Sequence, residues 1–165
     1  MPRRERVVRG GALRIQLAGP GDLTAIDQLW ESVARPGTPG KPGTCFVARE
    51  ERSGEILGTA EYVRTFPPED GLWAVVVAPR ARRRGVGTRL LRALVDAALH
   101  DGIRNLGAYI GCDDEPSWRL LSAIGIPVRV YRLRKAAYVE MDLVYLLRLY
   151  AAAMAQPNGG HTVAA

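Results

Sequence analysis

The chain has no apolar run near the roughly 20 residues that a membrane-spanning helix needs. Its opening residues, MPRRERVVRGG, carry no apolar stretch behind their arginines, so no secretory signal is expected. Cysteine is scarce. Cys45 and Cys112 stand far apart without a CxxC or Cys/His grouping, which predicts reduced thiols in a cytoplasmic protein. Histidine is limited to His100, at the end of a helical segment, and His161, in the last residues. That leaves no support for a Ser-His-Asp triad or a metal site. Lysine is almost missing: of 23 basic residues only Lys41 and Lys135 are lysine. The net charge of +6 invites a nucleic-acid partner. No zinc-finger spacing, helix-turn-helix signature or aromatic RNA-binding motif accompanies the arginines, which argues against one.

What is present is a globular composition, 47% hydrophobic and 24% charged in 165 residues. Residues 1–11 read as a flexible basic arm, 12–156 as one domain and 157–165 as a disordered tail. Leu13 to Leu17 alternates as a strand does. Asp22 then stands at an N-cap position, and Leu23, Ile26, Leu29, Trp30 and Val33 recur at helical spacing up to Arg35. The segment PGTPGKPG (36–43) stops that helix. Strands are expected at 44–51 and 55–66, a turn at 67–71 holding Glu69 and Asp70, and a strand at 72–78. A helix follows from Thr88 to His100 with Leu90, Leu91, Leu94, Val95, Ala98 and Leu99 on one stripe. A strand at 103–111, a helix at 113–125, two strands near 126–133 and 136–143, and an amphipathic C-terminal helix complete the order. The expected fold is mixed α/β, a sheet of about seven strands covered by helices, with an extra C-terminal helix.

Residues 75–91, VVVAPRARRRGVGTRLL, carry the chemistry. A fully apolar strand runs into a tight loop with Gly85 and Gly87, and the loop opens a helix. Glycines allow close backbone approach and positive φ, while free N–H groups and the helix dipole favour an anion. Arg82, Arg83 and Arg84 add positive charge. The product is a cradle for a pyrophosphate. A nucleotide P-loop would need GxxxxGK[ST] and a dinucleotide fingerprint GxGxxG, and neither is present. The blander reading is a strand–loop–helix junction whose glycines only make the turn.

The stretch Val77-Ala78-Pro79-Arg80-Ala81-Arg82-Arg83-Arg84-Gly85-Val86-Gly87 resembles the acetyl-CoA-binding motif of the GNAT superfamily of N-acetyltransferases. Its Val-x-Pro lead-in and Arg-x-x-Gly-x-Gly core match that motif, as does the surrounding element order over residues 12–143. The resemblance implies a splayed central sheet whose V-shaped opening receives the pantetheine arm of acetyl-CoA. It implies that backbone groups of Val75, Val76 and Val77 pair with that arm. The N–H groups from Arg82 through Arg83, Arg84, Gly85, Val86 and Gly87 to Thr88 would hold the pyrophosphate, with Arg83 or Arg84 near the 3′-phosphate. The family's second landmark, Asn-x-x-Ala-x-x-Leu-Tyr before Gly-Phe, aligns Asp114 with the Asn and Leu121 with the Tyr. That Tyr is the usual general acid for the departing thiolate, and leucine has no proton to give.

Transfer to an amine also needs a base. Glu61 is the first candidate, since its alternating strand sets it beside Leu57, Thr59 and Val63, where burial would raise its pKa. The competing reading is a solvent-facing strand residue. Tyr109, Tyr131 and Tyr138 are candidate replacement acids, and Cys112 an inert thiol. Glu69 and Asp70 are expected to cap a turn, and Asp113 and Asp114 a helix. The short 36–43 segment suggests an open, shallow acceptor site. The expected function is acetyl transfer from acetyl-CoA, without a metal, to a primary amine of a small molecule or peptide. A non-catalytic acyl-CoA-binding or regulatory module and an arginine-driven RNA-binding protein are the alternatives. The C-terminal stripe of Leu143, Val144, Leu146, Leu147, Tyr150 and Met154 is expected to cover either the domain's own sheet or the same helix of a second copy in a homodimer.

Overall fold

The computed structural model describes residues 12–33 and 44–155. The expected basic arm, the 36–43 segment and the tail lie outside the described residues. Elements follow the order β1 (Leu13–Leu17), α1 (Leu23–Ser32), β2 (Thr44–Glu50), β3 (Ile56–Arg64), β4 (Asp70–Val77), α2 (Val86–His100), β5 (Asn105–Gly111), α3 (Glu115–Ile124), β6 (Val128–Arg132), β7 (Ala136–Asp142) and α4 (Leu143–Ala155). Among the described residues seven strands hydrogen-bond in the order β1-β2-β3-β4-β5-β7-β6. β4 and β5 pair parallel, whereas β1–β2, β2–β3, β5–β7 and β6–β7 pair antiparallel. Among the described residues no helix is long and apolar enough to cross a membrane.

Contacts divide the chain into two compact units. The first takes residues up to Val63 together with Trp73–Ala97. Here β1 runs against β2 from Leu13↔Glu50 to Leu17↔Phe46, and β2 against β3 from Thr44↔Tyr62 to Arg49↔Ile56. The α2 stripe behaves as its spacing requires: Leu90, Leu91 and Leu94 are fully buried and Val86 nearly so. Each such leucine contributes roughly 1.5–3 kcal/mol relative to exposure. Gly58 on β3 makes the close contact possible. A Cβ there would stand 2.9 Å from Leu90 Cδ1, 3.0 Å from the Val76 carbonyl oxygen and 3.1 Å from Val86 Cγ1. Helix α1 buries Ile26, Leu29 and Trp30, but Leu23 is exposed and the helix ends at Ser32 with Val33 as its C-cap, while the expected end at Arg35 lies outside the described residues. Asp22 occupies the N-cap position without capping α1; its carboxylate accepts from the Gly19 N–H at 2.9 Å and from Arg49.

The second unit takes Arg64–Leu72 and residues from Ala98 onward. β7 sits between β5 and β6, with Leu106, Val139 and Met141 fully buried on one face. Asp70 opens β4 rather than sitting in a turn, and its carboxylate accepts from Asn105 Nδ2 at 2.8 Å. The strand starts early because Asp70–Leu72 already pairs with Asn105–Gly107. Glu69 offers its backbone carbonyl to the Arg104 N–H at 2.6 Å. Asp114 caps α3 through Ser117, and Gly125 closes the helix at φ +69°.

Candidate functional site

The strand–loop–helix stretch lies within the first unit. The Ala78 N–H bonds the Leu57 carbonyl at 2.9 Å, and Pro79–Ala81 forms one 3-10 turn anchored by fully buried Ala81. Arg82 is extended, and its Nε donates to the Val77 carbonyl at 3.3 Å. Arg83 then adopts φ +64° and Gly85 φ +74°. Two left-handed residues two apart curl the loop so that the chain enters α2 at Val86, two residues earlier than expected. Gly87 and Thr88 therefore sit in the first turn of α2, so Gly87 is helical and Gly85 alone of the two glycines uses positive φ. An arginine in the left-handed region was not legible from sequence; only glycine and, less often, Asn or Asp go there without strain.

The first bond of α2 runs from the Arg89 N–H to the Gly85 carbonyl at 3.1 Å. The N–H groups of Val86, Gly87 and Thr88 precede it and are the donors a helix leaves open at its start. A Cβ built on Gly85 meets nothing within 4 Å, so the space over the loop is open. Arg82, Arg83 and Arg84 are all exposed. Arg80 pairs with Glu55, while Arg84 reaches Glu50 only at 3.9 Å. Open N–H groups, an open approach over Gly85 and exposed guanidinium charge are the features that favour an anion at a helix start. On β4, Val76 is buried between half-buried Val75 and Val77. The β4–β5 pairing ends at Leu72↔Gly107, so these three valines lie beyond its last pair.

Glu61 is buried at 7% exposure, in the middle of β3. The bonds Ala78 N–H to Leu57 and Thr65 N–H to Asp70 bracket the β3–β4 hairpin in one register. That register sets Glu61 opposite Ala74, one residue before Val75. Across the other edge Glu61 faces Cys45. Among the described residues its Oε1 is buried without a hydrogen-bond partner. Burial pushes its carboxyl up to about 7. Burial likewise raises the Cys45 thiol; the Thr59 hydroxyl, 3.3 Å from its sulfur, opposes that and the Glu61 charge reinforces it. Cys45 is thus an inert neutral thiol, and Glu61 is poised between its two protonation states near neutral pH.

The second unit holds the remaining candidates. Leu121 is buried on α3 at 5% exposure, so no acid replaces the expected tyrosine at that position. Tyr109, Tyr138 and Tyr131 form a row on β5, β7 and β6, and Cys112 is exposed. Among the described residues no three His, Cys, Asp or Glu side chains are grouped to hold a metal ion.

The model of the acetyltransferase (GNAT) family matches residues 21–126, more than half of the chain and including the whole cradle. The chain belongs to the GNAT family. Among curated proteins this GNAT chain is 36% identical over 83 residues to the L-2,4-diaminobutyric acid acetyltransferase of Chromohalobacter salexigens. It is 34% identical over 85 residues to that of Nocardia farcinica. The matches take in 49% and 50% of this chain but only 43% of each relative, so the chain matches less than half of either protein's length. The fold is that of solved GNAT structures. The Salmonella typhimurium protein yncA, solved with acetyl-CoA, aligns at TM-score 0.68 and 20% identity over 81% of this chain and 95% of its own. The diaminobutyrate acetyltransferase of Paenibacillus lautus, solved with L-2,4-diaminobutyric acid and coenzyme A, aligns at 0.66 and 21% over 81% and 97%.

Proposed function

We propose that this GNAT chain transfers an acetyl group from acetyl-CoA to a primary amine by direct attack. The observation that carries the reading is the cradle: two left-handed residues, the open N–H groups at the start of α2 and three exposed arginines beside an apolar strand. Val86, Gly87 and Thr88 would hold the pyrophosphate through their N–H groups, with Arg82, Arg83 and Arg84 supplying charge. Val75, Val76 and Val77 would bind the pantetheine arm through their backbone. Acetyl-CoA supplies the activated acetyl thioester and no metal is required.

Glu61 would act as the base. An ammonium group cannot attack, and a carboxyl whose pKa is about 7 takes up its proton without holding it too tightly. The acceptor is read as a small amine, because the curated relatives are named for L-2,4-diaminobutyric acid. The protein is read as one cytoplasmic catalytic domain, able to pair through α4. Thiol release from acetyl-CoA, measured with a panel of diamines, diamino acids, aminoglycosides and peptides, tests the reading. Release that depends on one amine class supports it. CoA-dependent thermal stabilisation without release from any of them would favour the second reading, a non-catalytic acyl-CoA-binding module, which the buried apolar Leu121 supports.

A further inference from the structure

Leu121 leaves the departing thiolate without a proton donor at the usual position, and the second unit holds one hydroxyl placed to replace it. Tyr109, Tyr138 and Tyr131 stand side by side across β5, β7 and β6. Their hydroxyls are not equivalent. Tyr109 is 68% exposed and Tyr131 49%, so both rings are presented to solvent. Tyr138, between them, is half-buried, with ring centroids 5.1 Å and 6.0 Å from its neighbours. Gly107 decides where its hydroxyl goes. A Cβ built on Gly107 would fall 2.0 Å from the Tyr138 oxygen and 2.4 Å from Cζ. The tip of the phenol thus occupies the place of the missing side chain, a close approach that only glycine allows.

Register gives that place its meaning. Gly107 pairs with Leu72, and this is the last pair between β4 and β5. Asp70, Leu72, Gly107 and Tyr138 all belong to the second unit. The Tyr138 hydroxyl therefore stands over the point at which the two parallel strands stop pairing. From that point β4 continues through Trp73 and Ala74 to Val75, Val76 and Val77, and then to the cradle loop. A pantetheine arm held at the cradle by its pyrophosphate and paired along Val77, Val76 and Val75 runs back down β4. Its thioester end is then directed toward Leu72. Burial first, and then Glu140, Tyr109, Asp70 and Tyr131 as charged neighbours, hold the Tyr138 pKa above the ordinary tyrosine value. The proton stays on the oxygen across neutral pH, as a donor requires. Of the groups facing it, Glu140 is in turn bridged by Arg129 at 3.2 Å and Asp70 accepts from Asn105.

We propose that Tyr138 is a catalytic residue of this chain, the acid that protonates the CoA thiolate in place of the tyrosine missing at position 121. The proposal rests on the acetyl-transfer reading above. The amine nitrogen bonds to the acetyl carbon, the C–S bond breaks with its electron pair on sulfur, and the Tyr138 O–H gives that sulfur its proton. The nitrogen of the new amide sheds one proton, which balances the one that Tyr138 regains. Thiol release by the full chain with the most active amine, wild type against Tyr138→Phe, tests it. The variant keeps the ring, so its thermal shift with CoA and its KM for acetyl-CoA should match the wild type. Its kcat should fall roughly a hundredfold, the low end for one general acid, because a thiol with a pKa of about 8.5 leaves fairly well unaided. Tyr109→Phe and Tyr131→Phe should stay within about twofold of the wild type. Wild-type kcat should decline at alkaline pH as the hydroxyl ionises, and the Tyr138→Phe profile should lack that limb. Undiminished kcat in Tyr138→Phe, an equal fall in Tyr109→Phe or Tyr131→Phe, or an alkaline limb that survives in Tyr138→Phe would overturn the proposal and leave acetyl transfer intact. No thiol release from the wild type with any amine would overturn acetyl transfer itself, and this proposal with it.

Discussion

Glu61 links stability and turnover through one proton. In the folded protein its carboxyl titrates near 7, against an ordinary value of 4.5. Below pH 4.5 both folded and unfolded forms hold the proton and the residue costs nothing. Between pH 4.5 and about 7 the unfolded form ionises first, so stability falls as pH rises. Above about 7 the full penalty applies, on the order of 3 kcal/mol. Glu61→Gln should therefore raise the melting temperature at pH 8 and change it little at pH 4.5. If Glu61 is the base, the same variant should lower turnover a hundredfold or more while acetyl-CoA affinity holds. Wild-type kcat/KM should climb with pH through an apparent pKa near 7, and the variant should lack that limb. Flat, equal profiles would return Glu61 to a structural role. The alternation Leu57, Thr59, Glu61 set its carboxylate among apolar neighbours but left burial open, because β3 is buried on both faces from Leu57 to Tyr62 only once its neighbours are in place. The left-handed Arg83 was not legible, since nothing in RRRG says which residue must turn.

At the scale of elements, the cradle depends on how tightly α2 lies on β3. Sequence placed the helix through its apolar stripe but could not see Gly58, whose importance arises only when Leu90, Val86 and the Val76 carbonyl converge on it. Contacts between residues 18 or more apart leave no local mark. Gly58→Ala should lower stability by roughly 1–3 kcal/mol, because a backbone oxygen cannot yield as a side chain can. It should also shrink CoA-induced stabilisation, as Val86 begins the helix whose N–H groups form the cradle. Gly85 differs. Its Cβ would touch nothing, so Gly85→Val is opposed by φ +74° alone. The folded fraction of that variant should show little or no thermal shift with CoA, and an undiminished shift in both variants would remove the cradle from the mechanism.

At the scale of the molecule, α4 shows an imbalance that the chain does not resolve. Leu143 and Leu146 are buried, which docks the start of the helix in the second unit. Yet Tyr145, Leu147, Leu149, Tyr150 and Met154 are all exposed, Met154 at 87%. The sequence stripe was broad enough to demand cover, and docking within one chain provides it for only part of the length. A second copy would cover the remainder, with the same residues meeting across a two-fold axis. Light scattering at micromolar concentration should give twice the chain mass, with a melting temperature that rises with concentration. Leu147→Arg should yield a folded monomer. Since Leu147 is half-exposed within its own chain, the substitution should cost the isolated fold little, and the whole effect should appear in assembly. The melting temperature of the variant should then be lower than that of the wild type and independent of concentration. A monomeric wild type would end the dimer reading, whereas a dimer that survives Leu147→Arg would move the interface off this helix.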